Sequence, residues 1–255
     1  MLNSANRLKL RDRLYLSGID GKAFDIALSE GFGFEMSVFC WAPKMEDGKA
    51  LAEARRQAAS GVPLWFHAPF AELIPCSVDP LARELTHKRL LQAMELSLSL
   101  GIKRIVMHGG FIPQVYYPEW YVEQSIGFWK NFLRHVPEDV IIALENVMEP
   151  GPQLLADIAD GIDDPRIGLC FDAGHANSNV SSIPPLEWID VLKHRLVHVH
   201  LHNNMGDKDL HAPLGEGIIP MEAVLDRLLE SEVTFTVENQ DCIASLKWLE
   251  EKAYI

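Results

Sequence analysis

The amino-acid sequence predicts an α/β protein, a single-domain (β/α)8 or TIM barrel over residues 1–255. Three observations predict it. Eight short apolar runs recur at residues 14–19, 34–41, 62–66, 102–107, 140–144, 167–171, 196–201 and 233–237. Many are rich in Val, Ile and Phe, which suits strands buried on both faces. Longer segments with helical periodicity lie between most of them, and successive runs start 20 to 40 residues apart. That is the repeat of strand–helix units rather than hairpins, and it implies a parallel sheet. Eight such units in 255 residues match the size of a closed barrel. An open, doubly wound sheet is the alternative.

Taken in order, the first unit is irregular: run 14–19 leads to run 34–41 with no clear helix between them. A helix follows over 48–60, then run 62–66. The clearest helix spans 81–100, where Leu81, Leu85, Leu90, Met94 and Leu98 are spaced for one face and Gly101 supplies a stop. Further helices over 120–136, 152–158, 186–193, 221–230 and 243–251 separate the remaining runs. Pro220 stands just ahead of its helix, where a missing N–H does no harm.

Hydrophobic residues make up 48% of the chain and charged residues 23%, so a full core is expected and wholesale disorder is not. The net charge of −13 offers no basic footprint for nucleic acid, which argues against a dedicated DNA binder. Cys40, Cys76, Cys170 and Cys242 are far apart, with no C-x-x-C pair. They read as reduced, mostly buried thiols of a cytoplasmic protein. Residues 1–13 carry Arg7, Lys9, Arg11 and Arg13 without a long apolar core, unlike a signal peptide. No run approaches the ~18 apolar residues of a membrane span.

Six runs end in an ionisable residue: His67, His108, Glu145, Asp172 with His175, His200, and Glu238. Burying a strand does not call for such residues, and they are costly unless paired or bound to a metal. In a (β/α)8 barrel the C-terminal strand ends meet at one face, where catalytic groups gather. A lone strand-end histidine is more often a hydrogen-bonded packing residue than a ligand, and a lone glutamate can be salt-bridged. Six in series weaken that bland reading. Glu145, Asp172, His200 and Glu238 form an oxygen-rich set with one nitrogen, suited to Mn²⁺, Mg²⁺, Co²⁺ or Zn²⁺. The additional His67, His108, His175 and His211 shift the balance towards Zn²⁺. Asp172-Ala173-Gly174-His175 and Asp209-Leu210-His211 each let two ligands grip neighbouring positions.

His198, His200 and His202 alternate with aliphatic residues and share a face. His200 reads as the ligand, His198 as a deeper structural residue and His202 as a supporting one. His87, His135 and His194 read as ordinary helical residues. Trp41, Trp65, Phe70, Phe111 and Trp120 lie near run ends and are candidates to wall a pocket. Leu214-Gly215-Glu216-Gly217 could cradle an anion, although a tight turn is the simpler reading.

These residues resemble the xylose-isomerase-like TIM barrel superfamily. It contains sugar isomerases and epimerases together with the endonuclease IV type of apurinic/apyrimidinic endonuclease. The resemblance runs from about His67 to Glu238. It is carried by His67-Ala68-Pro69, His108-Gly109-Gly110, Glu145-Asn146, Cys170-Phe171-Asp172-Ala173-Gly174-His175-Ala176, His200-Leu201-His202-Asn203, Asp209-Leu210-His211 and Gly215-Glu216-Gly217. Similarity to the sugar epimerases implies one divalent metal on Glu145, Asp172, His200 and Glu238. The two glutamates would then act as acid and base, and His175 would touch substrate. Similarity to endonuclease IV implies three zinc ions. His67, His108 and Glu145 would hold the first, Glu145, Asp172, His200 and Glu238 the second, and His175, Asp209 and His211 the third. All nine positions are filled here, but Asn203 and Asn204 stand where family members often carry Asp, and no inserted basic loops are seen.

Two functions follow from this resemblance. The favoured expectation is a metal-dependent isomerase or epimerase of a sugar or sugar phosphate, using one to three Zn²⁺ or Mn²⁺ ions and the pair Glu145 and Glu238, with His175, His67 and His108 facing substrate. The alternative is a multi-zinc phosphoesterase acting on abasic DNA or a smaller phosphate ester. A metal-bound sugar-binding barrel without activity ranks last. No membrane partner is expected, and a homo-oligomer is compatible with all three.

Overall fold

In the computed structural model, which describes residues 10–178 and 180–255, eight parallel strands close into a barrel in chain order. The N-terminal stretch carrying Arg7 and Lys9 lies outside the described residues. The strands are β1 (Leu14–Ser17), β2 (Gly33–Met36), β3 (Leu64–His67), β4 (Arg104–His108), β5 (Ile141–Glu145), β6 (Ile167–Asp172), β7 (Leu196–Leu201) and β8 (Thr234–Val237). β1 pairs with both β2 and β8, which closes the ring. The helices are α1 (Ala23–Glu30), α2 (Gly48–Ala58), α3 (Pro80–Ser99), α4 (Pro118–Phe132), α5 (Gln153–Ile162), the single turn α6 (Ala173–Ala176), α7 (Pro185–Leu192), α8 (Met221–Leu228) and α9 (Cys242–Glu251).

The expected strand–helix alternation holds, with four departures. The first unit does contain a helix, α1. It buries Ala23, Phe24 and Ala27 and ends at Gly31, whose φ of +79° suits glycine. Run 34–41 is strand only to Met36, after which Val38–Cys40 tightens into a 3₁₀ turn. Helix 152–158 continues to Ile162, where Asp163 takes a left-handed cap. His194 lies in the turn after α7 rather than in a helix.

Local chemistry explains the helix starts. Asp47, Asp79 and Asp241 accept backbone N–H bonds at the first turns of α2, α3 and α9, which satisfies donors that lack an intrahelical partner. The main core lies between the strands and the helices, with Trp129, Trp188, Phe66 and Phe235 fully buried. A smaller core fills the barrel itself, formed by Tyr15, Trp65, Val106, Ala143 and Cys170. Gly33 makes room for it, because a Cβ there would collide with the Tyr15 ring.

Arg13 fastens the barrel seam from outside. Its guanidinium donates to the carbonyls of Ser231, of Val233 at 3.1 Å and of Leu229 at 3.0 Å, all next to β8. Charged hydrogen bonds of this kind contribute roughly 1.5–3 kcal/mol. Arg13→Ala is therefore expected to lower the unfolding free energy by about 2 kcal/mol, seen as a lower urea midpoint at unchanged slope. A shift below about 0.5 kcal/mol, the usual range for surface changes, would show that the strap is idle.

Cys76, Cys170 and Cys242 are buried, whereas Cys40 is partly exposed. Burial pushes each of the three buried thiols up to about 12. Ellman's reagent should thus titrate one thiol in the native protein and four after unfolding. Rapid reaction of two or more native thiols contradicts this.

Candidate metal centre

The fold brings all nine ligand candidates to the C-terminal face of the barrel. His67, His108, Glu145 and Asp172 are the last residues of β3, β4, β5 and β6. His200 is the penultimate residue of β7, and Glu238 directly follows β8. His175 sits in α6, and Asp209 and His211 lie in the loop between β7 and α8. Among the described residues their donor atoms gather into three sets, each spanning no more than 4.8 Å: His67, His108 and Glu145; Glu145, Asp172, His200 and Glu238; and His175, Asp209 and His211 joined by His202; a fourth, overlapping group links His67, His200 and Glu238 to Glu35.

In the first set, Glu145 Oε2 lies 3.3 Å from His67 Nε2 and 3.1 Å from His108 Nε2. His67 Nδ1 donates to the Ala68 carbonyl at 2.9 Å, which turns Nε2 inward. Phe70 stacks on His108 with centroids 4.4 Å apart. His108 Nε2 and Glu145 Oε2 are buried yet complete no hydrogen bond. Leaving such atoms unsatisfied costs about 1–3 kcal/mol each. They lie 3.1 Å apart without forming a hydrogen bond, and a divalent cation held by both fits that arrangement.

The second set is the driest. Asp172 and His200 are fully buried, Glu145 is 1% exposed and Glu238 5%. His200 Nδ1 lies 3.0 Å from Glu238 Oε2, 3.3 Å from Glu145 Oε1 and 3.7 Å from Asp172 Oδ2. Asp172 is pinned on both sides. Its N–H donates to Asn146 Oδ1 at 2.8 Å, and its Oδ1 accepts from the His175 N–H at 2.6 Å. Burial alone would raise the pKa of Glu145, but the His200 and His108 imidazoles hold it well below the usual carboxylate range.

The third set is more open. Asp209 Oδ2 lies 3.2 Å from His175 Nε2 and 3.0 Å from His211 Nε2. Both imidazoles are anchored from behind, His175 Nδ1 donating to the Asn146 carbonyl and His211 Nδ1 to the Glu238 carbonyl, each at 2.9 Å. Burial works to lower His211, but its bond to Asp209 and the charges of Glu238 and Asp209 outweigh it and raise it to about 9. Burial likewise opposes the ionisation of Asp209, but the paired His175 and His211 draw it far below the usual range.

Sequence reasoning missed Glu35. It lies in mid β2, fully buried, with its carboxylate 3.1 Å from His200 Nε2 and 2.9 Å from His198 Nε2. The available signal was a carboxylate between Phe34 and Met36, inside an apolar run rather than at its end. His198 is structural, bonded to Thr234 at 2.6 Å and stacked on Trp65. Asn203 and Asn204 do not orient His200. They bond to Leu214, Ile219 and Gly174 and shape the loop after β7. Gly217 packs against Asn203 with no space for a Cβ, so residues 214–217 form a tight turn. Trp65, Phe111 and Trp120 are packing residues: Trp65 and Phe111 are buried, and Trp120 donates to the Cys76 carbonyl. Phe70 and Trp41 are exposed.

Comparison with known proteins agrees with this fold. A family model described as xylose isomerase-like TIM barrel matches residues 24–252. An uncharacterized protein of Methanocaldococcus jannaschii is 32% identical over 206 residues, covering 72% of this chain and 68% of the relative. A probable endonuclease 4 of Mesomycoplasma hyopneumoniae is 27% identical over 175 residues, covering 62% of this chain and 61% of that relative, under two thirds of its length. Among solved structures, a D-tagatose 3-epimerase-like protein superposes with a TM-score of 0.79 at 25% identity, covering 95% of this chain and 96% of the other. A protein from Thermus thermophilus, soaked with zinc chloride, gives a TM-score of 0.76 at 28% identity, covering 94% of this chain and 97% of the other. The chain belongs to the xylose isomerase-like TIM barrel family.

Proposed function

We propose that the chain is a multinuclear, metal-dependent hydrolase of a small phosphate ester. One observation carries this reading: the two oxygens of Glu145 face different donor sets. Oε2 faces His67 and His108, while Oε1 faces His200 and His175 at 3.3 Å each. A buried carboxylate so placed is positioned to bridge two donor sets, and with an ion in each it would have no oxygen left to shuttle a proton. The imidazole-rich first and third sets favour Zn²⁺.

His67, His108 and Glu145 would hold one ion, and Glu145, Asp172, His200 and Glu238 a second. Bound divalent ions supply Lewis acidity towards a phosphoryl oxygen and lower the pKa of water. The chain's own contribution is positional. The Ala68, Asn146 and Glu238 carbonyls and the Glu35 carboxylate each fix one imidazole, so four rings present a chosen nitrogen to the cavity. Burial of Glu145 and Asp172 keeps the site dry, which strengthens every charge interaction within it.

The surroundings favour a small substrate. The loops that follow the strands carry three lysines, Lys22, Lys44 and Lys208, and no arginine. Lys44 is already paired with Asp47 at 3.0 Å. Duplex binding rests on many Lys and Arg contacts to phosphates, and this face lacks them.

A second reading, the sugar isomerase or epimerase, is supported by the likeness to the D-tagatose 3-epimerase-like structure and by the pair Glu145 and Glu238 flanking His200. In it, one glutamate removes a proton beside a carbonyl and the other returns it.

Metal-loaded enzyme and bis(p-nitrophenyl) phosphate separate the two readings. The hydrolase should release nitrophenol, lose activity to a chelator and recover it with Zn²⁺. His67→Ala should lower kcat/KM by at least about 100-fold, the upper end of what loss of a mere supporting partner costs. Intact diester, together with exchange of a ketose C–H for deuterium from D₂O, would overturn the hydrolase and establish the second reading.

A further inference from the structure

We propose that His202 is a fourth protein ligand to the ion of the third donor set, which makes that set closed and structural. The inference rests on the multinuclear reading above.

His202 is fully buried. Its Nε2 lies 3.0 Å and 3.1 Å from the two oxygens of Asp172 and is thereby occupied. Its Nδ1 is buried and has no hydrogen-bond partner. That nitrogen points into the third set, 3.7 Å from Asp209 Oδ1. The ring stacks on that of His211, with centroids 4.0 Å apart. The donor atoms of His175, His202, Asp209 and His211 all fall within 4.8 Å of one another. Gly174 is what admits the ring, since a Cβ at that position would overlap the His202 imidazole.

The consequence is a division of labour. Three nitrogens and one carboxylate oxygen would hold Zn²⁺ with four protein ligands, and structural zinc sites are four-coordinate whereas catalytic ones keep a position open. The third ion would therefore tie the loop after β7 to α6. The chemistry would stay with the two sets that share Glu145.

The test is titration of metal-free protein with Zn²⁺ against a chromogenic chelator, alongside the visible spectrum of the Co²⁺ form. The informative variant is His202→Gln, whose amide nitrogen reaches the old Nε2 position and keeps the Asp172 bond while removing Nδ1. Wild type should bind three ions. In His202→Gln one ion should weaken by more than about 100-fold, beyond the 10–100-fold loss typical of an outer partner. The intense absorption of tetrahedral Co²⁺ should fade with it. His202→Phe, which keeps the stacking on His211, should behave alike and serves if the glutamine variant does not fold. His211→Ala should abolish the same ion. Three ions in wild type with unchanged affinities and spectrum in both His202 variants would overturn this proposal alone. Two ions in wild type would likewise overturn this proposal alone, whereas one or none would overturn it together with the multinuclear reading.

Discussion

The ligand cluster stands on one buried carboxylate. Glu35 projects into the middle of the barrel, where an isolated charge would be prohibitive to desolvate. It is tolerated because it is surrounded by polar partners: His198 Nε2 at 2.9 Å, His200 Nε2 at 3.2 Å and Thr236 Oγ1 at 2.7 Å. Burial would raise its pKa, but His200 and His198 reverse that and hold it well below the usual range. In return, Glu35 decides how His200 presents itself. With Nε2 committed downward, Nδ1 is the nitrogen left for Glu145, Asp172 and Glu238. A carboxylate behind a metal-binding imidazole also raises its basicity as a ligand. The stacking of His198 on Trp65, with centroids 4.1 Å apart, fixes this polar layer on the apolar floor below.

Above that layer the barrel topology does the assembling. Neighbouring parallel strands deliver His108 beside Glu145 and Asp172 beside His200 as register partners. Exposure then rises across the face, from the second set to Asp209 at 36%. The dry sets are built on strand ends and the wetter one on a loop and a single helical turn. Rigid elements therefore carry the shared carboxylate Glu145, where small displacements matter most, and the loop carries the set whose residues come from α6 and the connection after β7.

The strands and most of the candidate site were legible because each rests on a local pattern. A strand buried on both faces must be a continuous apolar run, and an ionisable residue at its end stands out against that background. His67, His108, Glu145, Asp172, His200 and Glu238 all read this way. Glu35 did not, because the run 34–41 continues past the true strand end at Met36 and the terminus appeared to be Trp41. The helix α1 was hidden for a related reason. It is eight residues long, its N-cap Lys22 makes no side-chain capping bond, and its buried face rests largely on two alanines. Gly31 was its one readable signal. The double role of His202 could not be read from sequence, since period two places it on the inward face without saying that Asp172 takes one nitrogen and leaves the other free.

Charge balance links these observations. Glu35, Glu145, Asp172, Asp209 and Glu238 bring five carboxylates to one end of a chain that already carries a net charge of −13. Like charges at such separations oppose one another strongly in a low-dielectric interior. Two kinds of counter-charge are available. One is protons on the imidazoles, and the same carboxylates do raise His175, His200 and His211 against the opposing effect of burial. The other is divalent cations, which require those imidazoles to be neutral and the carboxylates ionised. The two are mutually exclusive at each ligand, so metal binding must expel protons. The same geometry serves both states, because His67, His175, His200 and His211 are already anchored through one ring nitrogen with the other left to face the cluster. The site thus needs little rearrangement to exchange one set of positive charges for the other.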